Sequence, residues 1–156
     1  MLDAIKSFLN DLAGKAEPRA FGADEHRLAA AALLFHVIAV DGVVSDDERA
    51  TLSSVLRRHF ELDEKDALAL ATAAEQADKK AVDLYGFTSV LKRQADEADR
   101  ERIVEMMWQL VYADGAVHEF EDNVIWRVAE LLGVGSEARI RLKRTVRAGA
   151  GPSAGP

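Results

Sequence analysis

Residues 33–48 read LLFHVIAVDGVVSDDE and residues 106–121 read MMWQLVYADGAVHEFE, two stretches 73 positions apart. Laid over each other they pair Leu33 with Met106, Leu34 with Met107, Phe35 with Trp108, Val37 with Leu110 and Ile38 with Val111. Each then reaches an Asp-Gly pair, a valine two residues after the glycine and a glutamate seven residues after the aspartate. Farther on, Leu52 falls on Ile125 and Val55 on Val128, still without a gap. Matched apolar positions on both sides of a matched turn describe two copies of one helix-loop-helix unit. Two copies are too few for a solenoid, so they are expected to pack on each other about an approximate two-fold axis.

The helix leading into the first Asp-Gly starts near Asp24, a suitable N-cap, and runs to about Val40. Its apolar residues, among them Leu28, Ala31, Leu33, Leu34, Val37 and Ile38, lie on more than one face. The helix leading into the second, over residues 99–113, leaves as little polar surface. A helix apolar nearly all round is buried nearly all round, so these two should form the centre of the protein. Gly42 suits the left-handed backbone after a helix end, and Ser45 with Glu48 three residues later has the form of a capping box that opens the next helix, to about Phe60.

Further helices are expected from Asp63 to about Ala77, with Leu68, Ala71 and Ala74 as its stripe, and over Val82 to Gln94. Another spans about His118 to Leu132, with Phe120, Val124, Ile125, Val128 and Leu131 inward, and Ser136 caps a last one. Phe35, Met106, Met107, Trp108 and Trp126 fall at helical spacing and are read as core. The fold class is therefore all-α: a compact bundle of about seven to eight helices with an internal pseudo-two-fold repeat.

A chain of 156 residues suits one domain with one core. That domain is expected over residues 23–148. Before it, residues 1–22 hold an amphipathic segment, Leu2, Ile5, Phe8, Leu9 and Leu12 at helical spacing, and a Gly- and Pro-punctuated linker. After it, residues 149–156, GAGPSAGP with its neighbours, are expected to be a disordered tail. The amphipathic segment is read as docking on the domain, with membrane association at most peripheral. No run is apolar and long enough for a secretory signal or a membrane span, so a cytoplasmic location is expected.

The formal charge of −7, with a pI near 5.1, disfavours nucleic acid and favours cations or basic partners. With no cysteine, thiolate metal sites and thiol nucleophiles are excluded. The basic run RIRLKRTVR sits near a helix C-terminus, where the macrodipole favours positive side chains.

The repeated loop holds the most pointed chemistry. A capping box and a turn account for much of the first copy. Yet Asp41 and Asp114 stand at helix C-termini, where a carboxylate is disfavoured by roughly 0.3–1 kcal/mol unless something compensates it. The second copy also has His118, a poor cap, where the first has Ser45, and still keeps Glu121. Packed side by side, the two helix ends would bring Asp41, Glu48, Asp114 and Glu121 to one site, where mutual repulsion calls for a cation. Two separate loops, each holding an ion weakly, are the other placement. All-oxygen ligands favour Ca²⁺, Mg²⁺ or Mn²⁺. The D-x-D-x-D ladder of an EF-hand is missing, so this is not that motif. His36 and His118 are secondary ligand candidates, the first more simply a core histidine and the second an exposed loop residue.

The twin D-G-x-V-x-x-x-E loops, Asp41 to Glu48 and Asp114 to Glu121, each behind a long apolar helix, resemble the TerB-like family associated with tellurite resistance. The likeness covers roughly residues 24 to 146. It implies a small all-helical domain with a metal site at the acids of both motifs, which by position are Asp41, Glu48, Asp114 and Glu121.

The expected function is a non-enzymatic module that binds a divalent cation and takes part in a tellurite or stress response. The alternatives are a metal-independent module whose acidic surface recruits a protein partner, and a metal-assisted hydrolase. No nucleophile-and-base spacing, phosphate-cradling glycine loop or H-E-x-x-H helix supports an enzyme. Oligomeric state is not readable from the sequence.

Overall fold

The computed structural model describes residues 23–40, 42–113 and 119–154. The segment 1–22, both motif aspartates and His118 lie outside these residues. Among the described residues there are seven helices and no strand: α1 (Ala23–Ile38), α2 (Asp46–Phe60), α3 (Glu64–Lys80), α4 (Tyr85–Gln94), α5 (Glu97–Tyr112), α6 (Glu119–Leu131) and α7 (Ser136–Ala154). No helix among them is long and apolar enough to cross a membrane.

Local chemistry sets several of the helix ends. Ser45 Oγ accepts from the Glu48 amide at 3.1 Å while Glu48 Oε1 accepts from the Ser45 amide at 2.9 Å, the reciprocal pair of a capping box. Asp63 and Asp96 cap α3 and α5 by accepting from the Asp66 and Asp99 amides at 2.7 and 2.8 Å. The chain leaves α1 through Gly42 at φ +88°, a left-handed backbone that a Cβ would strain.

α1 and α5 are the centre, as their sequence requires. In α1 every residue from Leu28 to Ile38 except His36 is buried, and α5 buries Ile103, Val104, Met106, Met107, Trp108, Leu110 and Val111. The repeat governs how they are covered. The most extensive helix contacts are α1 against α3 and α5 against α7, so the repeated unit has three helices rather than two. The cross-contacts are reciprocal: α2 packs on α5, and its counterpart α6 packs on α1. His26 and Asp99, themselves 73 positions apart, are near enough for the carboxylate to act on the ring.

α4 packs on α1 and α6 and has no counterpart among the described residues. From α7, Leu142 and Val146 are buried in the core.

Four sequence expectations need correction. Trp126 is 43% exposed, with the Arg139 guanidinium 5.6 Å from its ring centroid, and Phe120 is 69% exposed. The row of α6 that faces inward runs through Glu121, Ile125, Val128 and Leu132, and these two aromatics fall to either side of it. Leu68 is likewise outside, because α3 buries Ala67, Leu70, Ala73, Ala74 and Ala77. α4 begins at Tyr85 rather than Val82, which is fully exposed in the connection from α3.

One ion-pair group fastens α2 to α3: Arg49 donates to Glu75, which also receives Lys79 at 2.9 Å. The Arg49 hydrogen bond, then that of Lys79, holds the Glu75 carboxyl at about 2, below its ordinary 4.5. A carboxyl lowered by folding contributes stability at pH values above its unfolded pKa, and that contribution is lost as pH falls through its folded pKa. Urea midpoints measured between pH 5 and 2 should therefore fall more steeply for the wild type than for Glu75→Gln. Parallel curves would show that the pair adds nothing.

Candidate metal centre

The two copies of the motif start their second helices in the same register. α2 begins at Asp46 and α6 at Glu119, again 73 positions on, so Glu48 and Glu121 are both the third residue of their helix. Negative side chains are favoured in a first helical turn, where unpaired amides and the macrodipole present positive potential. From that shared place the two glutamates differ. Glu48 is half-buried and closes the capping box with Ser45. Glu121 is 7% exposed and occupies the inward row of α6, engaged within the protein.

A second contrast surrounds the matched aromatics Phe35 and Trp108. In the first copy the Arg49 guanidinium, from α2, lies 5.9 Å from the Phe35 centroid and pairs with Glu75 of α3. In the second the Lys143 ammonium, from α7, lies 5.0 Å from the Trp108 centroid and bonds Asp122 of α6 at 2.8 Å. Arg49 and Asp122 are equivalent positions. Both copies thus set a cation over a buried ring and a carboxylate beside the cation, with the signs exchanged between the second and third helices. Cation–ring contacts of this kind contribute roughly 0.5–2 kcal/mol.

The described histidines, His26, His36 and His59, each have a neighbour outside the loops. His36, expected in the core, is instead the one residue of 28–38 that is not buried, and its Nδ1 lies 2.9 Å from Asp78 Oδ1, which ties α1 to α3. His59 Nε2 is 2.7 Å from Gln109 Oε1. His26 packs edge-on against Phe60; burial, the larger effect, holds its pKa below the usual value, with Arg27 adding to this and Asp99 opposing it.

Of the four expected ligands, the described residues therefore contain Glu48 and Glu121, while Asp41 and Asp114 fall outside them. Among the described residues no three Asp, Glu or His side chains stand together to hold an ion. The full donor set is carboxylate oxygen throughout, which fits a hard divalent cation. The sequence reading missed the exchanged pairs over Phe35 and Trp108. The matched aromatics were visible in it, but their charged partners come from helices whose residues do not correspond.

A family model described as Tellurite resistance protein TerB matches residues 27–144, which takes in both loops and all but the last turns of α7. Comparison with curated proteins and with solved structures returns no match.

Proposed function

Because the chain belongs to the TerB family, we propose that it is a non-enzymatic helical module that binds a divalent cation through the acids of its two Asp-Gly loops, Asp41, Glu48, Asp114 and Glu121 being the candidate set. The observation that carries this reading is the burial of Glu121. A glutamate that only assists a helix start has no need of the interior, as Glu48 shows from its half-buried place. A desolvated carboxylate gains more from a cation than a solvated one, because the attraction is less screened. The ion would supply positive charge to the carboxylates of the two loops. The link to tellurite resistance comes from the family's name.

Isothermal titration with Ca²⁺, Mg²⁺, Mn²⁺ and Zn²⁺, on the wild type and on the Asp41→Asn/Asp114→Asn double variant, tests the reading. Saturable binding by the wild type, weakened at least about tenfold in the double variant, is expected, since affinity at oxygen sites follows ligand charge. A wild type that gives no binding at millimolar ion would end it. In that event the acidic surface is left as the recruiting feature, and the double variant should hold a basic protein partner as well as the wild type does.

A further inference from the structure

We infer that the amphipathic segment of residues 2–12 docks in the cleft that α2 and α7 form over α5, where it is the second copy's counterpart of α4. This is independent of cation binding.

The observation behind it is a difference in burial between α1 and α5. Glu25, Leu28, Ala29 and Ala32 are buried, whereas their matches 73 positions on, Ala98, Glu101, Arg102 and Glu105, are exposed or half-buried. Every other matched pair, from His26 with Asp99 to Ile38 with Val111, is alike, buried with buried and half-buried with half-buried. Spacings of three, four and seven residues place the four differing positions on one helical face. One face of α1 therefore has a cover that the same face of α5 lacks. Among the described residues, α4 is the helix that packs on α1 and has no counterpart against α5.

The α5 face is the floor of a cleft. Arg141 of α7 is bound to Glu101, and His59 of α2 to Gln109 farther along, so α7 and α2 stand as its walls. Arg58, Glu105 and Thr145 line it together from the three helices.

The sequence places a candidate cover at the right point of the chain. α4 directly precedes the second copy, and residues 2–12 precede the first. Ile5, Phe8, Leu9 and Leu12 have the spacing of Leu84, Phe87, Thr88 and Leu91, of which the last three are buried and Leu84 is half-buried. The copies also cover each other reciprocally, α2 on α5 and α6 on α1. α4 leads into the second copy and packs on α1 of the first; the same exchange puts the segment leading into the first copy on α5 of the second. Residues 13–22 span up to about 33 Å when extended, against about 10 Å for the floor from Ala98 to Glu105. The floor's charged heads can stay at the cleft edge while their stems are covered, and Ile140, 41% exposed on α7, gains cover too. Charges where α1 has leucine and alanine make this the weaker seat of the two.

The chain has no cysteine, so introduced pairs report without background. In the full chain, Ser7→Cys is combined in turn with Glu105→Cys on the floor, Tyr85→Cys on α4 and Leu68→Cys on α3, and each protein is treated with a short bismaleimide. Cross-linking to Glu105→Cys should be at least about tenfold faster than to either other position, because docking raises the local concentration. Adding Phe8→Asp should slow it about tenfold, as the loss of a buried aromatic anchor implies. Should that variant fail to fold, Phe8→Ala makes the same comparison. Equal rates at the three positions, a faster reaction at Tyr85→Cys or Leu68→Cys, a rate indifferent to residue 8, or no reaction overturns the inference. In the last case, retention of the chain on vesicles of anionic lipid would assign the segment to a membrane surface instead.

Discussion

Trp108→Ala is expected to lose about 3–5 kcal/mol of stability, and Trp108→Phe less than about 1.5. Trp108 is fully buried on α5, so truncation to alanine removes its transfer free energy and leaves a cavity between helices that can collapse only in part. It also leaves the Lys143 ammonium without the ring beneath it, 5.0 Å away in the wild type. Phenylalanine keeps a ring face for the ammonium. It also removes the indole Nε1, a buried donor with no hydrogen-bond partner among the described residues, and with it a desolvation cost of roughly 1–3 kcal/mol that partly offsets the lost area. The repeat supplies a precedent, because Phe35 holds the matching place under Arg49. Against a total of about 5–15 kcal/mol the alanine variant should be marginal. Urea unfolding at constant pH reads both changes from the midpoint. A phenylalanine variant as unstable as the alanine one would show that the indole nitrogen does have a role the ring alone cannot fill.

How far the sequence discloses this fold depends on how one-sided each helix is. α1 and α5 are legible because they are apolar on several faces, and no choice of inward row is needed. α6 is where periodicity misleads. Phe120, Val124, Trp126 and Leu131 are all apolar, but the row that packs includes Glu121, and a carboxylate in the winning row hides that row from any hydrophobic pattern. Leu68 on α3 misleads in the same way, since the row facing inward is mostly alanine and its signal is weak.

The third helix of the repeat could not be read from the sequence because its charges are exchanged rather than copied. Arg49 with Glu75 and Asp122 with Lys143 do the same work with opposite signs on matching helices, so no residue identity links α3 to α7. The candidate site was legible as a recurring spacing of acids. The different burial of Glu48 and Glu121 was not, because burial depends on tertiary packing. Trp108 and Ala32 show the same limit from inside the core: what each position tolerates is set by which helices lie against it.

Ala32→Glu should cost at least about 3–5 kcal/mol, the scale found when a buried charge has no partner. Ala29, Ala30, Ala31 and Ala32 are all fully buried, although their counterparts in the second copy are Arg102, Ile103, Val104 and Glu105. Arg102 is exposed and Glu105 half-buried, so α5 keeps a polar face where α1 has none. α4, which has no counterpart among the described residues, packs on α1, and small side chains on α1 permit close approach. Placing in α1 the glutamate that α5 carries therefore drives a carboxylate into an interior with no compensating group built for it. The reverse exchange, Glu105→Ala, should change stability by less than about 0.5 kcal/mol. Burial would raise the new carboxyl's pKa, so the neutral form is favoured in the folded state and the deficit of Ala32→Glu should shrink as pH falls toward 4. Urea unfolding of both variants at pH 7 and pH 4.5 measures all three effects. An Ala32→Glu protein within 1 kcal/mol of wild type at pH 7 would mean that α1 has an outlet to solvent, and that its alanines are not there to admit a further helix.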